Sequence, residues 1–356
     1  MKKTTVGILG ATGMAGQRYI QLLEDHPFFE IKVLAASQIS QGKSYAEAVS
    51  GRWHSPDPIP ERIQNMRIES IEQPAEIAKN CELVFSAIDS QPAREWEPRF
   101  AEAGLKVVSN ASSFRNDPLV PVLIPEINPQ HLDILPMQMK TKGFEHGFMT
   151  VKPNCSLQSY LLPLYILHRR YTLKNVVVST LQALSGAGYP GVSSMNILDN
   201  CIPFIPGEEE KSEREPMKIL GEVGPMGIVA ERGVTIAAHC NRVPVLDGHL
   251  ACVSASFEEE PDLEAIPKMW EAYRGKPQEL KLPSAPAVPV RYNHAPDRPQ
   301  PRLDRDVDRG MGITTGRLRS CPVHHLRFTC LSHNTIRGAA GGGVLIAELL
   351  KMEGYL

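Results

Sequence analysis

The chain opens with an apolar run, a glycine-rich turn and an amphipathic run, in that order. Glycines recur every third position, at 7, 10, 13 and 16, between the runs 5–9 and 17–24. A strand that enters a helix through such a turn lets the backbone approach a pyrophosphate, whose charge the free N–H groups of the helix start attract. This order predicts the first strand and helix of a Rossmann-type, doubly wound parallel sheet that binds a dinucleotide.

Short apolar runs continue to alternate with helical patterns up to about residue 150. The runs at 30–36, 83–88 and 106–109 are apolar on both faces, which is typical of a parallel sheet covered by helices. After residue 150, long polar stretches separate the β-rich segments, as in an α+β domain with a mixed or antiparallel sheet. We predict an α/β chain with a nucleotide-binding domain at 1–150, completed by a C-terminal helix at 334–356, and a second α+β domain at 151–333. The proline-rich stretch 283–302 is expected to be an extended connector.

The composition argues against several classes of partner. A net charge of −2 over 356 residues gives no long-range attraction to nucleic acid or to an anionic membrane. The apolar windows are too short for a transmembrane helix, and the first residues do not resemble a signal peptide. The seven cysteines are scattered singly without a CxxC pair, which argues against a zinc site or a disulfide framework. We expect a cytoplasmic protein with no metal.

The end of the second predicted strand indicates which dinucleotide would bind. It contains no carboxylate that could accept a hydrogen bond from a free ribose 2′-hydroxyl, whereas Ser37, Gln38 and Lys43 could meet a 2′-phosphate. This favours NADP over NAD. Short-chain reductases carry a similar loop, but they need a Tyr-xxx-Lys pair, and no tyrosine here has lysine four positions later.

One cysteine differs from the other six by its position. Cys155 lies in the segment 152–156, directly before a helical run at 157–168. A helix N-terminus stabilises a thiolate, so we expect a lowered pKa for this cysteine. Arg242 precedes His249 by seven residues, and a histidine beside an arginine can act as an acid/base next to an anion clamp. Taken singly, Cys155 and His249 could equally be packing residues of the core.

Together these segments resemble the aspartate-β-semialdehyde dehydrogenases, particularly the archaeal and fungal branch, over essentially the whole chain. The resemblance rests on collinear motifs: GATGMAG at 10–16, SNASSFRNDPLVP at 109–121, PNCS at 153–156, LQALSGAGYPG at 181–191, GEEEK at 207–211, NRVPVLDGH at 241–249, RPQPRLDRD at 298–306 and HNTIRGAAG at 333–341. It implies NADPH-dependent reductive dephosphorylation of L-4-aspartyl phosphate to L-aspartate 4-semialdehyde through a cysteine thioester, in lysine, threonine and methionine biosynthesis. It also implies a homodimer or homotetramer whose second domain is catalytic and mediates dimerisation.

The resemblance also implies roles for individual residues. Cys155 would be the nucleophile, His249 the acid/base that protonates the sulfur, and Gln182 the residue that orients the thioester. Substrate and phosphate contacts would come from Arg115, Asn154, Arg242 and one Glu-xx-Lys pair, either Glu215 with Lys218 or Glu208 with Lys211. Cofactor contacts would come from Gly10, Thr12, Gly13, Met14, Ala15, Ser37, Gln38, Ser86, Ser185, Gly186 and Asn334.

Three departures from the family pattern keep a second substrate class open. The sequences SLQS after Asn-Cys, Leu250-Ala251 after the histidine and AAGGGVL at 339–345 are unusual, and the last also occurs in malonyl-CoA reductases. Those enzymes use the same cysteine chemistry on a CoA thioester. Asn154 and the RVPV context of Arg242 favour the aspartyl enzyme. A non-catalytic NADP-sensing protein is a third hypothesis, which the complete set of catalytic residues disfavours.

Overall fold

A computed structural model describes residues 2–55 and 57–356 of the chain. Its strands, in chain order, are β1 (Thr4–Leu9), β2 (Phe29–Ala36), β3 (Ile68–Ser70), β4 (Leu83–Ser86), β5 (Lys106–Ser109), β6 (Phe148–Val151), β7 (Leu173–Gln182), β8 (Glu222–Gly224), β9 (Gly227–Val229), β10 (Thr235–Arg242), β11 (His249–Phe257), β12 (Val290–Asn293), β13 (Ile313–Ser320) and β14 (Leu326–Ser332). Its α-helices are α1 (Met14–Leu23), α2 (Tyr45–Ala48), α3 (Glu61–Gln64), α4 (Pro74–Ala78), α5 (Ser90–Glu102), α6 (Leu135–Lys142), α7 (Leu157–Tyr171), α8 (Ser194–Ile197), α9 (Glu208–Ile219), α10 (Ile266–Ala272), α11 (Lys276–Glu279), α12 (Pro301–Asp304) and α13 (Gly341–Met352). A π-helical turn at Ile336–Ala340 leads into α13.

The first sheet has the strand order β3-β2-β1-β4-β5-β6, and all neighbouring strands run parallel. Its strands are buried on both faces, which explains their continuous apolar runs. The strand order reverses between β1 and β4. Ligands of doubly wound sheets bind outside the carboxyl ends of the strands at such a point. The predicted parallel, doubly wound sheet is confirmed.

Two glycines shape the turn between β1 and α1. Gly10 has a φ of 75°, and a Cβ there would lie 2.6 Å from the carbonyl oxygen of Ala87, so this position requires glycine. Gly16, in the first turn of α1, has no room for a Cβ against the backbone of Gly10 and Ala11. The start of α1 therefore packs closely against the end of β1.

The second sheet has the order β10-β7-β11-β14-β13-β12 and is mixed. The pair β7 and β10 and the pair β12 and β13 are parallel, whereas the three central pairings are antiparallel. Helices α7 and α10 share an apolar core with it, in which Trp270 is fully buried. This sheet confirms the prediction of a second α+β unit. Within residues 2–55 and 57–356, no helix is long and apolar enough to cross a bilayer.

The stretch 283–302 differs from the expected plain connector. It contains β12, which pairs with β13 at the sheet edge, and the start of α12. Val290 of β12 is fully buried in the apolar core, and this burial stabilises β12 at the sheet edge although prolines flank it. At the C-terminus, α13 shares the apolar core of β1 and α1. The division of the chain at residues 150 and 334 stays a prediction.

Candidate active site

A cleft of about 670 Å³ joins the carboxyl ends of the first sheet to the loop that follows β7. Its volume is in the range of small-molecule and cofactor sites. The predicted cofactor residues that line it are Gly10, Thr12, Gly13, Met14, Ala15, Ser37, Ser185, Gly186 and Asn334. Cys155 lines the same cleft, although it is 145 residues from the glycine loop in sequence.

Two predicted cofactor residues lie elsewhere. The Ser86 side chain, at the end of β4, is fully buried and does not line the cleft. Gln38 is exposed, and its Nε2 donates to Glu72 Oε2 at 2.7 Å. Sequence reasoning missed the segment Ala87–Asp89, which does line the cleft. Its signal was its position, directly after a strand at the point where the sheet order reverses.

Cys155 and His249 meet although 94 residues separate them in the chain, with 3.3 Å between Cys155 Sγ and His249 Nε2. Cys155 lies two residues before α7, and His249 is the first residue of β11. The other ring nitrogen of His249, Nδ1, accepts a hydrogen bond from the Ala183 N–H at 3.0 Å. A neutral ring that accepts at Nδ1 carries its proton on Nε2. The proton of His249 therefore faces the sulfur of Cys155.

Burial dominates the titration of both groups. Burial first, and the charge of the neighbouring Arg242 second, lower the pKa of His249 to about 3. The pKa of Cys155 is raised by burial and by the Glu208 carboxylate, against the opposing influence of nearby cations. The expectation of a lowered thiol pKa from the helix start alone is therefore wrong. Removal of the thiolate from water outweighs the effect of one helix terminus.

Arg242 lies at the end of β10, next to the histidine. Its Nη1 donates to the Ala183 carbonyl at 2.7 Å, and within the described ranges no carboxylate lies within 4 Å of its guanidinium. A Cβ at Gly186 would lie 2.8 Å from Arg242 Nη1 and 3.1 Å from His249 Nε2. A residue without a side chain at position 186 thus allows the loop to lie directly on both groups.

Glu208, the first residue of α9, gathers several polar groups beside the cysteine. Its carboxylate accepts from Asn154 Nδ2 at 2.9 Å, from Gln182 Nε2 at 3.2 Å and from Lys211 Nζ at 2.9 Å. Burial acts to raise the pKa of Glu208, but Lys211 and the two amides lower it overall. The structure therefore brings the second Glu-Lys register together with Asn154 and Gln182.

Glu215 of the first register reaches the same asparagine from two turns further along α9. Its Oε2 accepts from the backbone N–H of Asn154 at 2.6 Å, and its Oε1 pairs with Arg115 Nη1 at 2.8 Å. Lys218 is buried and donates to the carbonyls of Arg115, Asp117 and Val120. The spacing i, i+7 places Glu208 and Glu215 on one helix face, a signal that the sequence already contained.

Asn334 links the histidine to the cofactor loop. Its Oδ1 accepts from the Gly248 N–H at 2.8 Å, and its Nδ2 donates to Ser185 Oγ at 2.8 Å. The side-chain amide of Asn334 therefore holds both Gly248, the residue before His249, and Ser185, which lines the cleft. The described residues contain no group of three His, Cys, Asp or Glu side chains that could hold a metal ion.

Comparison of the whole chain with known proteins finds related families and structures. Residues 5–135 match a family model described as the NAD binding domain of semialdehyde dehydrogenases, and residues 163–337 match its dimerisation domain. The aspartate-semialdehyde dehydrogenase of Methanothermobacter thermautotrophicus is 46% identical over 97% of this chain and 98% of its own length, and that of Schizosaccharomyces pombe is 43% identical over 99% of both. The crystal structure of aspartate semialdehyde dehydrogenase with NADP from Candida albicans aligns with a TM-score of 0.91, at 40% identity, over 99% of this chain and 100% of that one.

Proposed function

The chain belongs to the aspartate-semialdehyde dehydrogenase family, and we propose that it reduces L-4-aspartyl phosphate to L-aspartate 4-semialdehyde with NADPH. The observation that carries the proposal is the Cys155–His249 pair, 3.3 Å apart, in the cleft that begins at the glycine loop. A covalent nucleophile and a dinucleotide site in one cleft fit a reaction that forms a thioester and then reduces it. The product belongs to the biosynthesis of lysine, threonine and methionine.

The lining of the cleft fits an NADP cofactor. The backbone around Gly10 and Gly13 and the start of α1 can hold a pyrophosphate. Ser37, which follows β2 directly, has no carboxylate next to it in the sequence. Ser185, Gly186 and Asn334 lie on the cysteine side, where we propose that they contact the nicotinamide. The Candida albicans relative named above is described with NADP. When bound, the reduced cofactor supplies a hydride to a carbonyl carbon at Cys155.

A negative charge at position 37 should change the choice of dinucleotide. The variant Ser37→Asp places a carboxylate where we propose that the 2′-phosphate lies, so the KM for NADP should rise by about tenfold or more, while NAD is affected less. Steady-state kinetics with both cofactors measure the ratio, and Ser37→Ala controls for loss of the hydroxyl. An unchanged preference in Ser37→Asp would place the 2′-phosphate elsewhere.

We propose that the thiolate of Cys155 attacks the acyl carbon and that phosphate leaves with the electrons of the broken C–O bond. After hydride transfer, the tetrahedral alkoxide collapses, the C–S bond breaks and the thiolate is restored. Because the Ala183 N–H occupies Nδ1 of His249, this residue acts through its Nε2–H, donating a hydrogen bond to the sulfur as negative charge returns. This differs from the expected full protonation of the sulfur by His249.

The charged groups around the cysteine suggest how the substrate is held. Arg242 faces the catalytic pair without a carboxylate partner among the described residues, which supports it as the clamp for the substrate carboxylate. Glu208 and Glu215 both contact Asn154, the residue before Cys155, so both carboxylates lie near the nucleophile. We propose that one of them binds the substrate ammonium. Arg115 is proposed for the phosphate, together with a lysine one turn after the chosen glutamate, Lys211 or Lys218. Gln182 is proposed to orient the thioester.

An assay of the reverse, oxidative reaction separates the acyl phosphate from the CoA thioester. With aspartate semialdehyde and NADP, turnover should require phosphate or arsenate, because the thioester on Cys155 is released only by that nucleophile. Malonate semialdehyde with CoA is the comparison. Strict dependence on CoA, with no phosphate stimulation, would favour the malonyl-CoA reductase hypothesis. Slow alkylation of Cys155, unaffected by substrate, would favour the NADP-sensing hypothesis.

The second domain carries features of an interface between subunits. We propose a homodimer or homotetramer formed through the second domain, supported by the match of residues 163–337 to a dimerisation domain and by exposed apolar side chains outside the second sheet, those of Met195, Leu198, Phe204 and Met226. The reaction needs a reduced thiol at Cys155, which a cytoplasmic location supplies.

A further inference from the structure

Lys152 is a buried cation beside the nucleophile to which the mechanism above assigns no role. Only 2% of the residue is exposed. Its Nζ donates to the carbonyl of Pro153 and to the carbonyl of Gly338, in the π-helical turn. A Cβ at Gly338 would lie 3.0 Å from Cys155 Cβ, so this ammonium bridges the two backbone segments that enclose Cys155.

The charges around Lys152 do not cancel within the protein. The titratable and charged groups that face it are Arg115, Cys155, Glu208, Glu215 and His249. Both carboxylates already have cations, since Glu215 pairs with Arg115 at 2.8 Å and Glu208 with Lys211 at 2.9 Å. In the part of the chain that the structure describes, no carboxylate lies within 4 Å of Lys152 Nζ. A buried ammonium with only carbonyl partners is costly unless an anion forms nearby.

The histidine is poorly suited to be the counter-ion of the thiolate. A second proton on His249 would have to occupy Nδ1, where the Ala183 N–H already donates at 3.0 Å. Two donors would then face each other in a fully buried position. The imidazolium that pairs with cysteine in many thiol enzymes is therefore disfavoured here, and the thiolate needs another cation.

We propose that Lys152 is the counter-cation of the Cys155 thiolate, a positioning residue whose buried charge makes ionisation of the nucleophile possible. The proposal rests on Cys155 being the nucleophile of the proposed function. When Cys155 ionises, its proton leaves to solvent while Lys152 keeps its own. Burial and then the charge of Arg115 lower the pKa of Lys152, the negative charge of Cys155 acts to raise it, and the result is about 7. The charged forms of Lys152 and Cys155 therefore favour each other.

The test is the pH dependence of Cys155 alkylation by iodoacetamide in Lys152→Met. This variant keeps the length of the side chain and removes its charge. The midpoint of the alkylation profile should rise by about one pH unit, which makes the reaction about tenfold slower near neutral pH. At high pH the rate should equal or exceed that of the parent enzyme, because a thiolate of higher pKa is more nucleophilic.

The controls separate charge from structure. Lys351→Met removes a lysine in α13 that also bonds a backbone carbonyl, and it should leave the profile unchanged. Lys152→Arg keeps the charge, so its midpoint should stay close to that of the parent. An unchanged midpoint in Lys152→Met would overturn the proposal, as would an equal loss of rate at every pH, which indicates only a displaced loop.

A measurement on the unaltered enzyme covers the case in which Lys152→Met does not fold. In protein labelled with [ε-¹³C]lysine, alkylation of Cys155 removes the anion beside Lys152, so NMR should show the Lys152 titration midpoint falling by about one unit. An unchanged midpoint would contradict the pairing. Neither experiment needs substrate, so a failure here is distinct from a failure of the proposed reaction, which the turnover of Cys155 variants decides.

Discussion

Replacing Cys155 by alanine or serine should reduce turnover by about 10⁴-fold or more while NADPH still binds. Alanine removes the atom that forms the thioester, and the serine hydroxyl ionises too weakly to replace it. The glycine loop lies on a separate part of the cleft wall, so the cofactor contacts should survive. The measurements are kcat in the phosphate-dependent oxidative assay and nucleotide affinity by fluorescence titration.

Cys252→Ser is the matched control for this experiment. Cys252 is an exposed cysteine of β11, the strand that begins with the histidine, so its replacement tests general sensitivity of this strand to a change from sulfur to oxygen. Its turnover should match that of the parent enzyme. Substantial residual activity in Cys155→Ala would mean that no thioester forms at this residue, and the proposed mechanism would then be wrong.

Removing the hydrogen-bond donor of His249 should have the next largest effect. His249→Phe keeps an aromatic ring of similar size but cannot donate to the sulfur, so kcat should fall by about 10²- to 10⁴-fold. His249→Gln keeps an amide N–H near the former Nε2 and should retain more activity than the phenylalanine variant. Circular dichroism and thermal unfolding of both variants control for the loss of the Ala183 hydrogen bond.

The pH dependence of the rate of the unaltered enzyme independently tests the protonation state of His249. Because its pKa is lowered to about 3, the ring is neutral at every pH above about 4, and its protonation should not affect the rate between pH 5 and 8. The thiol of Cys155, by contrast, should affect the rate: because its pKa is raised, the rate should increase with pH as the thiolate forms. A loss of activity between pH 5 and 8 that disappears in His249→Gln would show that the histidine is titrating.

Within the first sheet, β1, β2, β4 and β5 were predictable because their signals are local, whereas the short strands β3 and β6 were not predicted. The apolar runs and the glycine turn predicted β1, α1 and β2 to within a few residues, and the alternation of strands and helices predicted a parallel sheet. The edge strand β12 was missed, since four residues between prolines carry too little periodicity to indicate a strand. Its position depends on pairing with β13.

The contacts of the candidate site were less predictable than its residue types. The sequence contained Cys155, His249 and the glutamates of α9 as candidates, but it offered no choice between two Glu-Lys registers, and the structure brings both glutamates to Asn154. The expected lowering of the thiol pKa failed for a related reason. A helix start can be recognised in a sequence, whereas the burial that opposes it cannot.

The sequence by itself determined the fold class, the family and the glycine turn that opens the chain, because these depend on spacing and on residue types within short segments. Only the tertiary structure decided which atoms meet: that the Ala183 N–H occupies one nitrogen of His249, that Ser86 is buried, and that Lys152 is enclosed beside Cys155. These contacts join residues that are distant in the chain. Their energies depend on burial and on the sum of nearby charges, which exist only once the chain has folded.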